Sequence, residues 1–459
     1  MGRHVVIIGN GVAGFAAGRR LRREDEDVTV TIFSDEGHSF YLRSRLKEYI
    51  AGTLGDHEVI LESRNLYRRE RLNLFLQSPV EGLDTGNREV LLPRGERVRY
   101  DRLLLAMGCA PAPLGVPGAE LAGVFSLRTL ADAEAIRQWM ANRRRAVVIG
   151  EGMVSVQLAE ALARTGVEVE YTLLGEQFWP DVLDPAASAI VEELLRELGV
   201  RIHKRVRVST ILGRQGAVRG VELDGGEVIG CDMLGHGCSF RPATELLAET
   251  AVACADGVKV NEYLETSVEG VYAAGDVISL GVGSGAGQFG ERWRNSFMLG
   301  ETAALNMLDR RTAVRGFAAS LKTQVCGANL AVIGRGQLAE VDPSVQVEAN
   351  RSGHGYRRLV FQGGMLVGAI LIGDTSHAEL IEDHVRRGTL REDMEESLLP
   401  ALLAEEPRLT KPLDTTCPIC TDRVHLPAGV PVGREFRCDS CRTKLKLSYS
   451  EGRLAVVPG

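Results

Sequence analysis

One phosphate-binding turn occurs twice in this chain, and that repetition limits the fold more than any other feature. His4 to Ile8 is a short apolar run, Gly9-Asn10-Gly11-Val12-Ala13-Gly14 follows at once, Phe15 to Arg23 reads as a helix, and Val28 to Phe33 as the next strand. In strand, G-x-G-x-x-G, helix, strand, the first glycine makes the tight turn and the second admits a pyrophosphate to the backbone. The third lets helix and strand pack closely. The helix start offers free N–H groups and the positive end of its dipole to the phosphates. About 140 residues on, Ala146 to Ile149 reads as a strand, Gly150-Glu151-Gly152-Met153-Val154-Ser155 as the turn, Val156 to Thr165 as a helix and Val167 to Leu174 as the next strand. Two such units imply two dinucleotides held face to face in an α/β fold, one delivering hydride and the other accepting it.

The two units differ. After the second strand of the first unit come Ser34-Asp35-Glu36, so Asp35 or Glu36 is placed to accept hydrogen bonds from a ribose. In the second unit Ser155 stands where the third glycine belongs. Its second strand ends Thr172-Leu173-Leu174-Gly175, with neither an acid for a 2′-hydroxyl nor an arginine for a 2′-phosphate; Glu176 falls slightly late. A relic domain kept for packing is the competing reading of that unit.

Composition removes other classes. The 52 glycines and 5% aromatic residues fit many strand-to-helix turns. A net charge of −7 argues against a nucleic-acid binder. No run of 18 apolar residues predicts a membrane span, and the start lacks a signal-peptide pattern. Of nine cysteines, Cys109, Cys231, Cys238, Cys254 and Cys326 are scattered, as small core residues would be. That usage predicts a reducing, cytoplasmic setting.

Further blocks give the chain a resemblance to the FAD-dependent pyridine-nucleotide oxidoreductases, within which it is most similar to the flavin module of NAD(P)H nitrite reductases and to rubredoxin and ferredoxin reductases. Tyr41-Leu42-Arg43 with Leu46 and Ala51-Gly52 resembles the flavin-lining segment. Tyr100 to Gly108 resembles Y-D-x-L-x-x-A-T-G, with Met107 in place of threonine. Leu127 to Ala133 and Arg241-Pro242 resemble the crossovers into and out of the nicotinamide domain, and Val271 to Val277 the second FAD motif. Leu321-Lys322, Gly363 to Ala369 and Gly373-Asp374 resemble the C-terminal interface domain. The resemblance implies FAD on Gly9, Gly11, Val12, Ala13, Gly14, Asp35, Glu36, Arg43, Ala106, Gly108, Gly275 and Asp276. It implies NAD(P)H, with NADH the expected form, on Gly150, Gly152 and Ser155. A helix from about Ser296 to Leu308 would point its positive end at the flavin.

Departures from the family are equally specific. Disulfide reductases carry a reactive cysteine pair after the first acid, and related oxidases and peroxidases carry one; residues 38–48 contain none. Electrons must therefore leave a flavin directly. A glutamate and a lysine that pair in ferredoxin reductases are replaced by Gln157 and Glu48, which predicts a rebuilt nicotinamide pocket.

Near the C-terminus, Cys417-Pro418-Ile419-Cys420 and Cys438-Asp439-Ser440-Cys441 form two C-x-x-C knuckles with 17 residues between them. Four thiolates so spaced suit tetrahedral zinc. Rubredoxin-like iron is the alternative, but it needs a longer gap and more aromatics. Val424 to Leu426, Glu435 to Arg437 and Lys444 to Tyr449 read as strands of a zinc ribbon. The ribbon resembles the amino-group carrier protein of lysine biosynthesis, without that carrier's acidic end.

The predicted architecture is α/β: two Rossmann-like dinucleotide-binding domains, the second inserted in the first, then an α+β interface domain and a small β zinc ribbon. Residues 1–112 and 241–312 form the FAD-binding domain, 113–240 the NAD(P)-binding domain, 313–390 the interface domain, 391–414 a linker and 415–459 the ribbon. The expected function is FAD-dependent NAD(P)H oxidoreduction toward an electron-transfer protein or a larger redox complex. No side chain is assigned as catalytic acid or base, because hydride transfer between stacked rings needs proximity and orientation first. No nucleic-acid or membrane partner is expected, and relatives' dimers make a homodimer an expectation. The alternatives are an NAD(P)H oxidase using oxygen and a non-catalytic FAD-containing assembly subunit with a docking ribbon.

Overall fold

The computed structural model describes residues 2–237, 240–279, 292–314, 320–339, 342–394, 412–427, 430, 432, 435–450 and 453–458. They belong to two compact units, residues 1–321 and 322–459.

The first unit is built on two parallel five-stranded sheets. In the first, the strand order is Val271–Ala273, Arg102–Leu105, His4–Ile8, Thr29–Phe33 and Leu72–Phe75, all parallel. Both faces are covered, so the strands read as continuous apolar runs rather than alternating ones. Val5 and Ile7 pack with Val30, Ile32 and Leu104 under the helices, while Val6 and Ile8 pack with Phe33, Leu103 and Leu105 on the other face. Each such burial contributes about 1.5–3 kcal/mol. The helix Val12–Glu24 follows the first strand and packs on the helix Arg292–Met307. Gly300 makes that approach possible: a β-carbon there would lie 2.2 Å from the Ala13 carbonyl oxygen.

The second sheet repeats the plan. Its order is Arg201–His203, Glu168–Thr172, Arg145–Ile149, Met233–His236 and Val124–Ser126, again all parallel. The helix Met153–Arg164 follows the Arg145–Ile149 strand. The chain runs between the two sheets through Cys109–Pro111 and Phe240–Pro242, which pair antiparallel with Arg241 opposite Ala110. Both sheets have their order reversal beside the glycine turn. In such sheets ligands bind outside the carboxyl ends of the strands at that point.

In the second unit a sheet of order Ser320–Val325, Ala328–Gly334, Met365–Ile372, Gly355–Gln362, Val345–Ser352 carries the helix Ala378–Arg387. That helix ends on Gly388, left-handed at φ 63°. The C-terminal segment holds the hairpin Leu413–Thr416/Arg423–Leu426 and a sheet of Glu435–Arg437, Lys444–Ser450 and Arg453–Pro458. The strands Leu413–Thr416 and Arg453–Pro458 were not anticipated, and the first takes the end of the expected linker. Residues 395–411, the rest of that linker apart from its first four positions, lie outside the described residues.

The scattered cysteines divide. Cys109 and Cys231 are buried as expected, Cys326 is half-buried and Cys254 is exposed. Cys238 lies outside the described residues. Among the described residues no helix is long and apolar enough to cross a membrane.

Candidate functional site

The first glycine turn is shaped by contacts that only glycine permits. Gly9 is left-handed at φ 106°, and a β-carbon on it would fall 2.3 Å from the Ala106 carbonyl oxygen. Ala106 in turn donates its N–H to the Ile8 carbonyl at 2.9 Å. A β-carbon on Gly14 would lie 1.9 Å from the Gly9 oxygen. Gly11 is the opposite case: a β-carbon there would meet nothing within 4 Å. The loop is thus packed from below and open where Val12 and Ala13 begin the helix. Gly275, at φ 84°, closes the other side, its β-carbon position 3.1 Å from Ala13 Cβ. The structure therefore brings together Gly9, Gly11, Val12, Ala13, Gly14, Ala106, Gly108, Gly275 and Asp276.

Asp276 lies among three side chains that the motifs did not single out. Arg128 Nη2 is 3.5 Å from Oδ2, Cys109 Sγ is 3.6 Å from the same oxygen, and Ser296 Oγ is 3.5 Å from Oδ1. Arg128 Nε donates to the Cys109 carbonyl at 3.1 Å. Arg43 donates to the Arg128 carbonyl at 2.8 Å and to Glu36 Oε1 at 2.7 Å. The Tyr41 hydroxyl donates to Glu36 Oε2 at 2.5 Å and accepts the Leu130 N–H at 3.0 Å. Burial first, then the charge on Glu36, pushes that hydroxyl's pKa well above its ordinary value, and Arg43 opposes them. The two acids after the second strand separate here. Glu36 faces the Tyr41–Arg43 segment, whereas Asp35 is exposed and has no side-chain partner among the described residues.

The helix after the Asp276 motif begins at Arg292, not near Ser296. Ser296 therefore lies in its second turn and meets Asp276 from the side. Trp293 and Phe297, about one turn apart in this helix, stack with ring centroids 5.7 Å apart.

The second turn is less worn than its sequence predicts. Gly150 is left-handed at φ 123° and Gly152 has open space where its β-carbon would be. Ser155 is fully buried. Its hydroxyl donates to the Ile149 carbonyl at 2.8 Å and accepts the Gly237 N–H at 2.9 Å. The serine thus ties the turn to the neighbouring strand end, and Gly237 gives it room: a β-carbon there would be 2.5 Å from Ser155 N. His236, next to Gly237, is buried, and Nδ1 of its ring has no hydrogen-bond partner among the described residues; burial lowers its pKa.

The expected loss of the lysine–glutamate pair is also corrected. Lys47 Nζ lies 3.1 Å from Glu160 Oε2, both buried, and Arg164 Nε donates to Glu160 Oε1 at 3.1 Å. The lysine stands one position earlier than in the family pattern. The glutamate stands three positions later, close to one helical turn, so the helix carries it on nearly the same face.

The four C-terminal thiols form one cluster, all within 4.8 Å of one another. Cys417 and Cys441 are 3.7 Å apart, Cys420 and Cys438 3.6 Å. Sulfurs about 2.3 Å from one ion at tetrahedral angles would be about 3.8 Å apart. The knuckles share one backbone design. Thr421 N–H bonds to the Cys417 carbonyl and Arg442 N–H to the Cys438 carbonyl, each at 2.9 Å. Thr421 and Arg442 are both left-handed, at φ 64° and 60°. The hydroxyl and N–H of Thr443 lower the pKa of the Cys441 thiol, while the neighbouring thiols raise that of Cys420, so the cluster shares its protons unevenly.

Residues 3–304 match the family model for pyridine nucleotide-disulphide oxidoreductases, and residues 322–389 that for the rubredoxin NAD+ reductase C-terminal domain. The chain is 32% identical over 331 residues to the biphenyl dioxygenase system ferredoxin–NAD(+) reductase component of Paraburkholderia xenovorans (strain LB400), covering 72% of this chain and 80% of that one. It is 26% identical over 387 residues to the NAD(P)H nitrite reductase of Bacillus subtilis (strain 168), covering 84% of this chain and 47% of that protein. In fold it is similar to the ferredoxin reductase for the CYP199A2 system from Rhodopseudomonas palustris, with TM-score 0.77 and 24% identity, covering 88% of this chain and all of that one.

Proposed function

We propose, from the premise that the chain belongs to the pyridine nucleotide-disulphide oxidoreductase family, that it is an FAD-dependent NAD(P)H oxidoreductase passing electrons to a protein redox partner. The observation that carries this reading is the pair of glycine turns, each packed tightly below and open at its second glycine, at the switch points of two linked parallel sheets. The turns fit two dinucleotides. A bound flavin would supply the acceptor for a nicotinamide hydride and a route for electrons to the partner.

The chain's own residues hold and orient. Gly11, Val12 and Ala13 present backbone N–H groups and the positive end of the helix to a pyrophosphate. Asp276 offers carboxylate oxygens to ribityl hydroxyls, and Arg128 and Ser296 fix its direction. Asp35, the free acid of the pair, is placed for the adenosine ribose, while Glu36 orients Arg43. Gly150, Gly152 and Ser155 form the matching turn for the nicotinamide dinucleotide. Residues 38–48 hold no cysteine, so no thiol relay stands between flavin and partner.

Residues 1–112 and 241–312 are read as the flavin domain, 113–240 as the nicotinamide domain, 313–390 as the interface domain and 415–459 as the ribbon. Zinc on Cys417, Cys420, Cys438 and Cys441 belongs to the same reading, supported by the tetrahedral sulfur spacing. A ferredoxin- or rubredoxin-type partner follows from what the relatives' names say of them. The cytoplasmic setting read from the scattered cysteine usage belongs to the same proposal.

The test is anaerobic mixing of the purified flavoprotein with NADH or NADPH while its visible absorption is followed. Bleaching faster than any reoxidation in air supports the reductase. Reoxidation at turnover speed would move the reading to an oxidase, and no bleaching by either nucleotide would end it.

A further inference from the structure

The second glycine turn, Gly150 to Ser155, lacks the acid that would hold an adenosine ribose at the end of the following strand, Glu168–Thr172. Thr172 and Leu173 there are buried, and Glu176 is exposed and paired with Arg205. Another acid reaches the same place. Glu151, the middle residue of Gly150-Glu151-Gly152, turns its carboxylate across to the strand end, where Oε1 accepts the Gly175 N–H at 2.6 Å. Its backbone carbonyl accepts the Trp179 N–H at 2.9 Å, which fixes the residue from the other side. Gly175 is what lets the carboxylate in: a β-carbon there would lie 2.9 Å from Glu151 Oε1. Oε2 is not engaged among the described residues. Leu174, next to this contact, is 58% exposed and offers an apolar surface to a base.

We propose that Glu151 is the ribose acceptor of the nicotinamide-dinucleotide site and selects the form with a free 2′-hydroxyl, NADH, over the 2′-phosphorylated form. The assignment rests on the reading of the second turn as a dinucleotide site. A carboxylate beside Gly152 can accept bonds from both ribose hydroxyls, and hydrogen bonds to a charged group are the strong ones. The same carboxylate opposes a 2′-phosphate by like charge. The cation that could favour that phosphate is Arg205, whose N–H donates to the Gly175 carbonyl at 3.2 Å. Its guanidinium is already paired with Glu176, so a phosphate would have to displace that partner.

The test titrates the full-length holoprotein calorimetrically with ADP-ribose and with 2′-phospho-ADP-ribose, which report binding without turnover. The wild type should prefer ADP-ribose on the order of 10- to 100-fold. Glu151→Gln should lose most of that preference, with flavin content and circular dichroism unchanged. Glu176→Gln, which frees Arg205, should narrow the preference less than Glu151→Gln does. Equal binding of the two ligands by wild type, or an unchanged ratio in Glu151→Gln, would overturn the proposal, as would a larger loss of preference in Glu176→Gln than in Glu151→Gln. Failure of both ligands to bind overturns the proposal together with the dinucleotide reading. Selective ADP-ribose binding without flavin bleaching by NADH supports Glu151 and removes only the reductase reading.

Discussion

The Lys47 ammonium lies 3.1 Å from the Glu160 carboxylate, with both groups buried, and so joins the short helix Leu46–Ile50 to the helix Met153–Arg164. Two charges withdrawn from water are tolerated only as a pair. Arg164 holds the other carboxylate oxygen but is 39% exposed at its side chain, so it cannot replace the lysine. Lys47→Met should cost about 3–5 kcal/mol in chemical denaturation. The double variant Lys47→Met/Glu160→Leu should recover much of that loss. A single variant as stable as wild type would show that the pair carries no burial cost.

Asp276 has its carboxylate directed by Arg128 and Ser296. Asp276→Ala removes the proposed acceptor for ribityl hydroxyls and leaves Arg128 without this carboxylate. The variant should purify with far less FAD, read as the ratio of visible to ultraviolet absorbance, while its circular dichroism matches wild type. Full flavin occupancy would contradict the assignment.

Ser155 bonds the Ile149 carbonyl and the Gly237 N–H with one hydroxyl. In Ser155→Ala the Gly237 N–H and the Ile149 carbonyl keep their direct bond of 3.4 Å and lose only the bridging hydroxyl, and a lost hydrogen bond of this kind costs about 0.5–1.5 kcal/mol. Urea melts should show that loss, together with weaker NADH binding, because the turn is no longer tied to the neighbouring strand. An unchanged midpoint would mean that water replaces the hydroxyl without penalty.

Glu170 gives a pH dependence. Burial tends to raise its carboxyl pKa, but hydrogen bonds from Arg201 at 2.6 Å and His203 at 2.9 Å outweigh burial and hold it below the ordinary 4.5. A depressed folded-state value adds stability that is complete above the unfolded value and disappears as pH falls through the folded one. Wild-type stability should therefore drop more steeply than that of Glu170→Gln below about pH 4.5. Parallel stability curves through that window would exclude the coupling.

The glycine turns were legible because each glycine answers a local demand. Gly9 must be left-handed against Ala106, and Gly14 must admit the Gly9 oxygen. Apolar runs marked the strands, and the paired C-x-x-C knuckles marked the thiol cluster. What escaped was long-range. Lys47 and Glu160 are 113 residues apart and match the family pairing only after shifts of one and three positions. Arg128 and Asp276, 148 residues apart, meet only once the crossover is folded back. Nothing local in Gly150-Glu151-Gly152 says that the Glu151 carboxylate crosses to Gly175, 24 residues on. The early start of the Arg292 helix was hidden because tryptophan and phenylalanine signal a core as readily as a helix end.

The ribbon supplies the last prediction. Its interior is small: Leu445, Leu447, Val456, Val424, Leu426 and Val430, with the sulfurs of Cys417 and Cys438 buried among them. Even with Leu413, Val432 and Phe436 packed against it, the described interior is small for ordering two hairpins, and the proposed metal would provide the remainder. Elemental analysis of the full-length protein should find about one zinc per chain. Cys438→Ser should abolish it, since three thiolates leave the tetrahedron open. Chelation should expose the segment from residue 412 onward to protease, while the flavin spectrum and the rate of bleaching by NADH stay as they were. Iron with visible absorption in place of zinc would overturn the zinc assignment. Metal-free protein with a protected C-terminal segment would refute the claim that the ion holds these strands together.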